Sequence, residues 1–157
     1  MSRVESIYLH VTFAAVGITG SVFAFMKYFM STDDPFAVAN HPWQPYMIDV
    51  HVVFAPLLAF GLGLIFSNHV LPGLRGGNAP RRNTGFIAIL TVAPMILSGY
   101  LMQVITHEQI QFAMRVTHWT TSGVFTLAYL GHQLPRRAGE ALASGAAALL
   151  RGLVSRP

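Results

Sequence analysis

No cysteine occurs in this sequence, which excludes disulfides, iron-sulfur clusters and thiolate metal sites. Any cofactor must be held by other ligands. Charge is also scarce: charged residues make up 10% of the chain, whereas a soluble domain carries about a quarter. The acidic sign is the scarcer one, with six Asp and Glu against ten Lys and Arg. The resulting charge of +4 does not make a nucleic-acid surface, because the basic residues flank apolar runs and form no patch with interleaved aromatics. What the chain has in quantity is apolar surface, at 53% hydrophobic residues and a mean hydropathy of +0.50. Water is not its main solvent. Four spans of about 20 residues with short connections use nearly all of the 157 residues, so no separate soluble domain is expected.

The apolar runs predict an all-α protein, a bundle of four transmembrane helices over about 7–30, 47–71, 85–105 and 112–134. The first run is too long for a signal peptide, and Lys27 near its far end can snorkel into the headgroups. Residues 31–46 are polar and turn-rich, with Asp33, Asp34, Pro35, Pro42 and Pro45, and Trp43 and Tyr46 suit the interface where a chain re-enters lipid. Pro72, Arg75 and the neighbouring glycines end the second span, Pro94 kinks the third, and residues 106–111 make a short polar turn. Residues 1–137 thus form the membrane domain, followed by a tail, 138–157, expected as an amphipathic helix lying on the cytoplasmic surface. All Lys and Arg except Lys27 and Arg115 fall at the termini or in the 72–84 loop, namely Arg3, Arg75, Arg81, Arg82, Arg136, Arg137, Arg151 and Arg156. The positive-inside rule therefore puts both termini in the cytoplasm of a bacterial-type inner membrane. Spans two and four also echo one another. Each begins near a histidine, His51 or His118, and ends in His-x-Leu-Pro followed by arginine, as an ancient two-helix duplication would.

Seven histidines stand in this lightly charged chain, and His10, His51, His69, His118 and His132 fall within or at the ends of spans. Ionisable groups at membrane depth usually face a bundle interior and carry a function. His118 and His132, fourteen residues apart, differ by about 40° around the helix and by roughly 21 Å along it. One face thus carries two imidazoles near opposite membrane surfaces. The threading levels His51 with His118 outside and His10 with His132 inside. Two such imidazole pairs are what two b-type hemes need, since iron with both axial positions filled by imidazole suits electron transfer. His69 lies eighteen residues after His51, which at helical pitch returns it to the same face about 27 Å away, and it competes with His10 for the inner place. His41 and His107 belong to outer loops, as ordinary solvated side chains. Gly17, Gly20, Gly61, Gly63, Gly99 and Gly123 allow close approach of a flat macrocycle or simply of another helix. Arg115 outside, and Arg81, Arg82 and Arg136 inside, are placed to pair with propionates or to signal topology.

His10 in span one, His51 opening span two, Ser98-Gly99 late in span three and the His118/His132 pair in span four resemble the four-helix di-heme cytochrome b subunits of membrane-bound formate dehydrogenases and [NiFe] hydrogenases. The likeness covers roughly residues 7–135, although Val11 follows His10 where those subunits commonly carry tryptophan. It implies two heme b groups, with His51 and His118 as axial ligands of the outer iron and His10 and His132 of the inner one. It also implies a quinone beside the inner heme, where Asn68 and His69 are available to hydrogen-bond a carbonyl or relay a proton. The expected function is transfer of electrons across the membrane between a redox partner, a protein subunit or a cytochrome, and the quinone pool. Substrate chemistry would then lie elsewhere in a larger oxidoreductase complex. Two rivals stand beside it: a cofactor-free structural or assembly membrane protein, and a metal transporter or membrane enzyme binding metal directly by histidine. The second wants histidines three or four apart on one turn, and no two of the five are so spaced.

Overall fold

A computed structural model describes residues 1–76 and 82–133. Arg81, Arg136, Arg137, Arg151, Arg156 and the tail 138–157 lie outside the described residues. Among the described residues the regular structure is entirely helical: α1 (Arg3–Phe29), α2 (Gln44–Leu64), a π-helical turn (Phe66–Val70), α3 (Leu71–Arg75), α4 (Arg82–Val104) and α5 (Glu108–Gln133). The chain divides into two compact units between Pro72 and Gly73. The first is built on the hairpin α1–α2 and the second on the hairpin α4–α5.

α1 starts earlier than the apolar run because Ser2 and Glu5 form a capping box. The Glu5 N–H donates to Ser2 Oγ at 3.2 Å and the Ser2 N–H to Glu5 Oε2 at 2.6 Å. At its other end Asn40 closes the helix from the loop, its Nδ2 donating to the carbonyls of Met26 at 3.3 Å and Lys27 at 3.0 Å. The Asn40 N–H donates to Gln44 Oε1 at 3.1 Å, so one residue ties the loop to both helices of the hairpin. The two helices run antiparallel. Gly20 of α1 meets His51 of α2, while Tyr8 and Leu9 meet Gly61. Tyr8 lies so close that a Cβ on Gly61 would stand 2.8 Å from its Cε1, and Tyr8 Oη donates to the Leu57 carbonyl at 2.9 Å. Leu9, Thr12, Thr19 and Met26 form the buried stripe of α1, and Leu58, Gly61 and Ile65 the buried positions opposite.

The second expected span differs from expectation at its C-terminal end. The α-helix stops at Leu64, yields to the π-helical turn, and then resumes through Pro72 and Gly73 to Arg75. Pro72 is the second residue of α3, and the helix runs on through it to Arg75. In the turn, the Val70 N–H reaches five residues back to Ile65 O at 3.2 Å. The turn departs from the uniform pitch by which His69 was expected on the face of His51.

In the second hairpin α4 continues through Pro94, and Ser98 Oγ donates to the Pro94 carbonyl at 2.6 Å and the Met95 carbonyl at 3.1 Å. α5 begins at Glu108, four residues before the expected span, leaving Ile105–His107 as the connection. Met95 and Ser98 of α4 and Phe125, Ala128 and Tyr129 of α5 are buried.

α1, α2 and α4 are long and apolar enough to cross a membrane. Their outward residues are large and apolar, among them Ile18, Phe25, Val53, Phe60, Leu90 and Leu97, all exposed. Hydroxyls on the helices bond back to carbonyls of the preceding turn, as at Thr12, Thr19, Thr91, Thr117, Thr120 and Thr121. These hydroxyl hydrogens are thereby satisfied within their own helix, as a hydrocarbon surrounding requires. α5 matches the others in length at 26 residues but is more polar, carrying Glu108, Gln109, Gln111, Arg115, Thr117, His118, Thr120, Thr121 and Ser122 in its first fifteen positions.

Candidate histidine seats on the two hairpins

His51 lies two turns into α2 and crosses to α1 at the point where α1 has no side chain. A Cβ on Gly20 would stand 2.8 Å from both Cε1 and Nδ1 of the ring. The ring Nδ1 lies 3.0 Å from the carbonyl of Val16, four residues before that glycine. A carbonyl can only accept, so Nδ1 carries the proton and, in the neutral ring, the lone pair resides on Nε2.

His118 repeats this arrangement in the other hairpin. Its ring lies over Gly99 of α4, where an added Cβ would come within 3.0 Å of Cε1 and 3.1 Å of Nδ1. Nδ1 donates to the carbonyl of Met95 at 2.9 Å, again four residues before the glycine. The nitrogen with the lone pair is again Nε2.

His132, on the same hairpin, is seated differently. Its ring packs on Gly85, with 3.2 Å from a built Cβ to Cε1, but its Nδ1 meets the Thr84 hydroxyl at 3.3 Å. A hydroxyl can donate or accept, so this seat does not fix the tautomer. Gly85 and Gly99 are fourteen residues apart, as are His118 and His132. Both contacts therefore belong to one antiparallel register, and the two imidazoles of α5 share the side turned to α4.

His41 carries the opposite tautomer to His51 and His118. The Trp43 N–H donates to its Nδ1 at 3.1 Å, and its ring meets the Trp43 indole edge-on at 6.5 Å between centroids. It is a loop-forming residue. His10 is exposed on α1, Asn68 and His69 are exposed in the π-helical turn, and His107 is exposed in the loop before α5. Asn68 Oδ1 accepts from Ser67 Oγ at 3.3 Å, and the His69 N–H donates to Ile65 O at 2.9 Å. Arg115 is half-buried on α5, one turn before His118.

Of the glycines expected at close approaches, Gly20, Gly61 and Gly99 meet aromatic or imidazole rings, whereas Gly17, Gly63 and Gly123 have nothing within 4 Å of a built Cβ. Gly85 and Thr84 are the additions that sequence reasoning lacked. The signal for Gly85 was the equal fourteen-residue spacing on neighbouring helices. The carbonyls of Val16 and Met95 leave no mark in residue types.

Among the described residues no three His, Cys, Asp or Glu side chains gather into a metal-ion site. A heme asks for something else: single neutral imidazoles, oriented by a hydrogen bond at the nitrogen away from the iron. His51 and His118 meet that requirement in protonation and orientation, and His132 meets it when Nδ1 donates to Thr84. No protein-family model, curated protein or solved structure matches this chain.

Proposed function

We propose that this protein is a di-heme b-type cytochrome subunit of the inner membrane, moving electrons between a redox partner and the quinone pool. The observation that carries the proposal is the pair of carbonyl-held imidazoles, His51 on Val16 and His118 on Met95, on hairpins whose outer surfaces are apolar. An Nδ1–H bond to a carbonyl makes the imidazole a better electron donor through Nε2 and stops the ring from turning. In this reading α5 is the fourth span. Its polar residues belong to the bundle interior, and the termini lie in the cytoplasm with the arginines that flank the spans.

Of the chain's own residues, His51 and His118 would hold the outer heme and His10 and His132 the inner one, and Arg115 would pair with a propionate of the outer heme. When bound, the hemes supply reversible one-electron couples. The chain's own residues fix the ligand tautomers, exclude water and hold the propionate charge. Asn68 and His69 offer a quinone carbonyl a donor and a proton carrier at a π-helical turn, a feature frequent at functional sites. Catalysis on the partner's substrate lies outside this chain, within a larger oxidoreductase complex.

His118→Ala tests the assignment in the purified protein. Half of the heme should disappear, with the remaining absorption band and midpoint unchanged. Full retention of both hemes contradicts the pairing. Parallel His10→Ala and His69→Ala variants identify the inner ligand, since heme loss from the second alone would replace His10 by His69.

A further inference from the structure

The two imidazoles of α5 share the side turned to α4 but not their hydrogen-bond chemistry. His118 Nδ1 donates to the Met95 carbonyl at 2.9 Å, whereas His132 Nδ1 lies 3.3 Å from the Thr84 hydroxyl. We propose that Thr84 is the positioning residue of the heme that His132 ligates, an inference that rests on the di-heme reading above. Its hydroxyl accepts from Nδ1–H, which leaves the Nε2 lone pair for the iron, and it is a weaker acceptor than the carbonyl that serves His118.

Thr84 is the third residue of α4, and both branches of its side chain meet α5. The hydroxyl faces His132, and the methyl lies over Gly131, 3.6 Å from the place a Cβ would take, which is ordinary van der Waals contact. Threonine in a helix divides between two rotamers, and the neighbouring residues Gly131 and His132 together select one of them. The next residue of α4, Gly85, makes room for the ring: a Cβ there would stand 3.2 Å from Cε1 and 3.4 Å from Nδ1 of His132. Thr84 and Gly85 thus cover the Nδ1 edge, and a metal reaches this ring at Nε2. A hydroxyl serves either tautomer, but only the neutral ring with its proton on Nδ1 keeps a lone pair on Nε2. Iron at Nε2 therefore selects the state in which Thr84 accepts.

An alcohol oxygen is a weaker acceptor than an amide carbonyl, and the separation here is also the longer of the two. The less Nδ1–H is polarised, the less electron density the ring gives the metal and the less it favours the ferric state. Removing the acceptor altogether should raise the midpoint further.

The test uses the full heme-loaded chain, read by redox titration and by the paramagnetic resonance of its ferric centres. His132→Ala first marks the centre concerned, as the one that is lost. Thr84→Val keeps the methyl on Gly131 and removes the acceptor. It should raise the midpoint of the marked centre, by up to about tenfold in the ferric-to-ferrous ratio or about 59 mV, and leave the other in place. Thr84→Ser restores the acceptor and should bring the midpoint back toward the wild-type value. An unmoved or lowered midpoint in Thr84→Val, a shift of the other centre, or no rescue by serine overturns the inference while the di-heme reading stands. A wild-type chain without heme overturns both. Should Thr84→Val not fold, nitrogen NMR of labelled histidine in the reduced wild-type chain decides. Nδ1 of His132 should carry its proton with less imidazolate character than Nδ1 of His118, and equal or greater character refutes the inference.

Discussion

Replacing Gly61 by alanine puts opposing effects on one position. The new Cβ would stand 2.8 Å from Cε1 and 3.0 Å from Cδ1 of Tyr8, while its contact with Leu9 Cδ1 at 3.4 Å is almost ordinary. Tyr8 cannot simply swing aside, because its hydroxyl donates to the Leu57 carbonyl at 2.9 Å. Overpacking of this kind costs about 1–3 kcal/mol, and losing the hydrogen bond costs about 1 kcal/mol more. Against this, alanine stabilises a helix interior by about 1 kcal/mol relative to glycine. The net expectation is destabilisation by about 1–3 kcal/mol. In a Tyr8→Ala background the clash is gone and only the helix term remains, so the same Gly61→Ala change should stabilise by about 0.5–1 kcal/mol. The assay is reversible unfolding of the four proteins of the double-mutant cycle in detergent, followed by helical circular dichroism. An equal effect of Gly61→Ala in both backgrounds would refute the contact as the reason for glycine.

Asn40→Ala removes both side-chain bonds that close α1 and should destabilise by about 1–2 kcal/mol; amide exchange should rise around Met26 and Lys27 while α4 keeps its protection. Ser2→Ala breaks the capping box at about 1 kcal/mol, and its effect should appear as fraying of the first turn of α1 with no change at the His51 seat. Tyr8→Phe keeps the ring against Gly61 but loses the bond to Leu57, so it should destabilise by about 1 kcal/mol, less than Gly61→Ala.

The four long helices were legible because apolar runs bounded by arginine, proline and polar turns carry that information directly. The start of α1 was equally available, since Ser2-Arg3-Val4-Glu5 is a capping-box sequence, although the apolar run alone began later. The π-helical turn was not legible. No residue type announces an N–H bonded five residues back, so the uniform pitch extrapolated from His51 to His69 made no allowance for it. α5 was expected as a span from its length and its closing Pro-Arg-Arg, yet its first half is too polar to be recognised by hydropathy alone. The His118/His132 spacing did put both imidazoles on one face of α5, but that this face packs on Gly99 and Gly85 of α4 emerges only from the hairpin. The hydrogen-bond partners were hidden because they are main-chain atoms, and which carbonyl an imidazole reaches depends on helix register. Gly20 and Gly99 were read as points of close approach; that the approaching group is a histidine ring emerges only from the packed hairpins.

The central claim is that neutral imidazoles on these hairpins hold iron porphyrin. Its most direct test is the reduced-minus-oxidised absorption spectrum of the purified chain, with heme quantified against protein. The account predicts sharp b-type bands and two hemes per chain; a colourless protein at full helical content would contradict it.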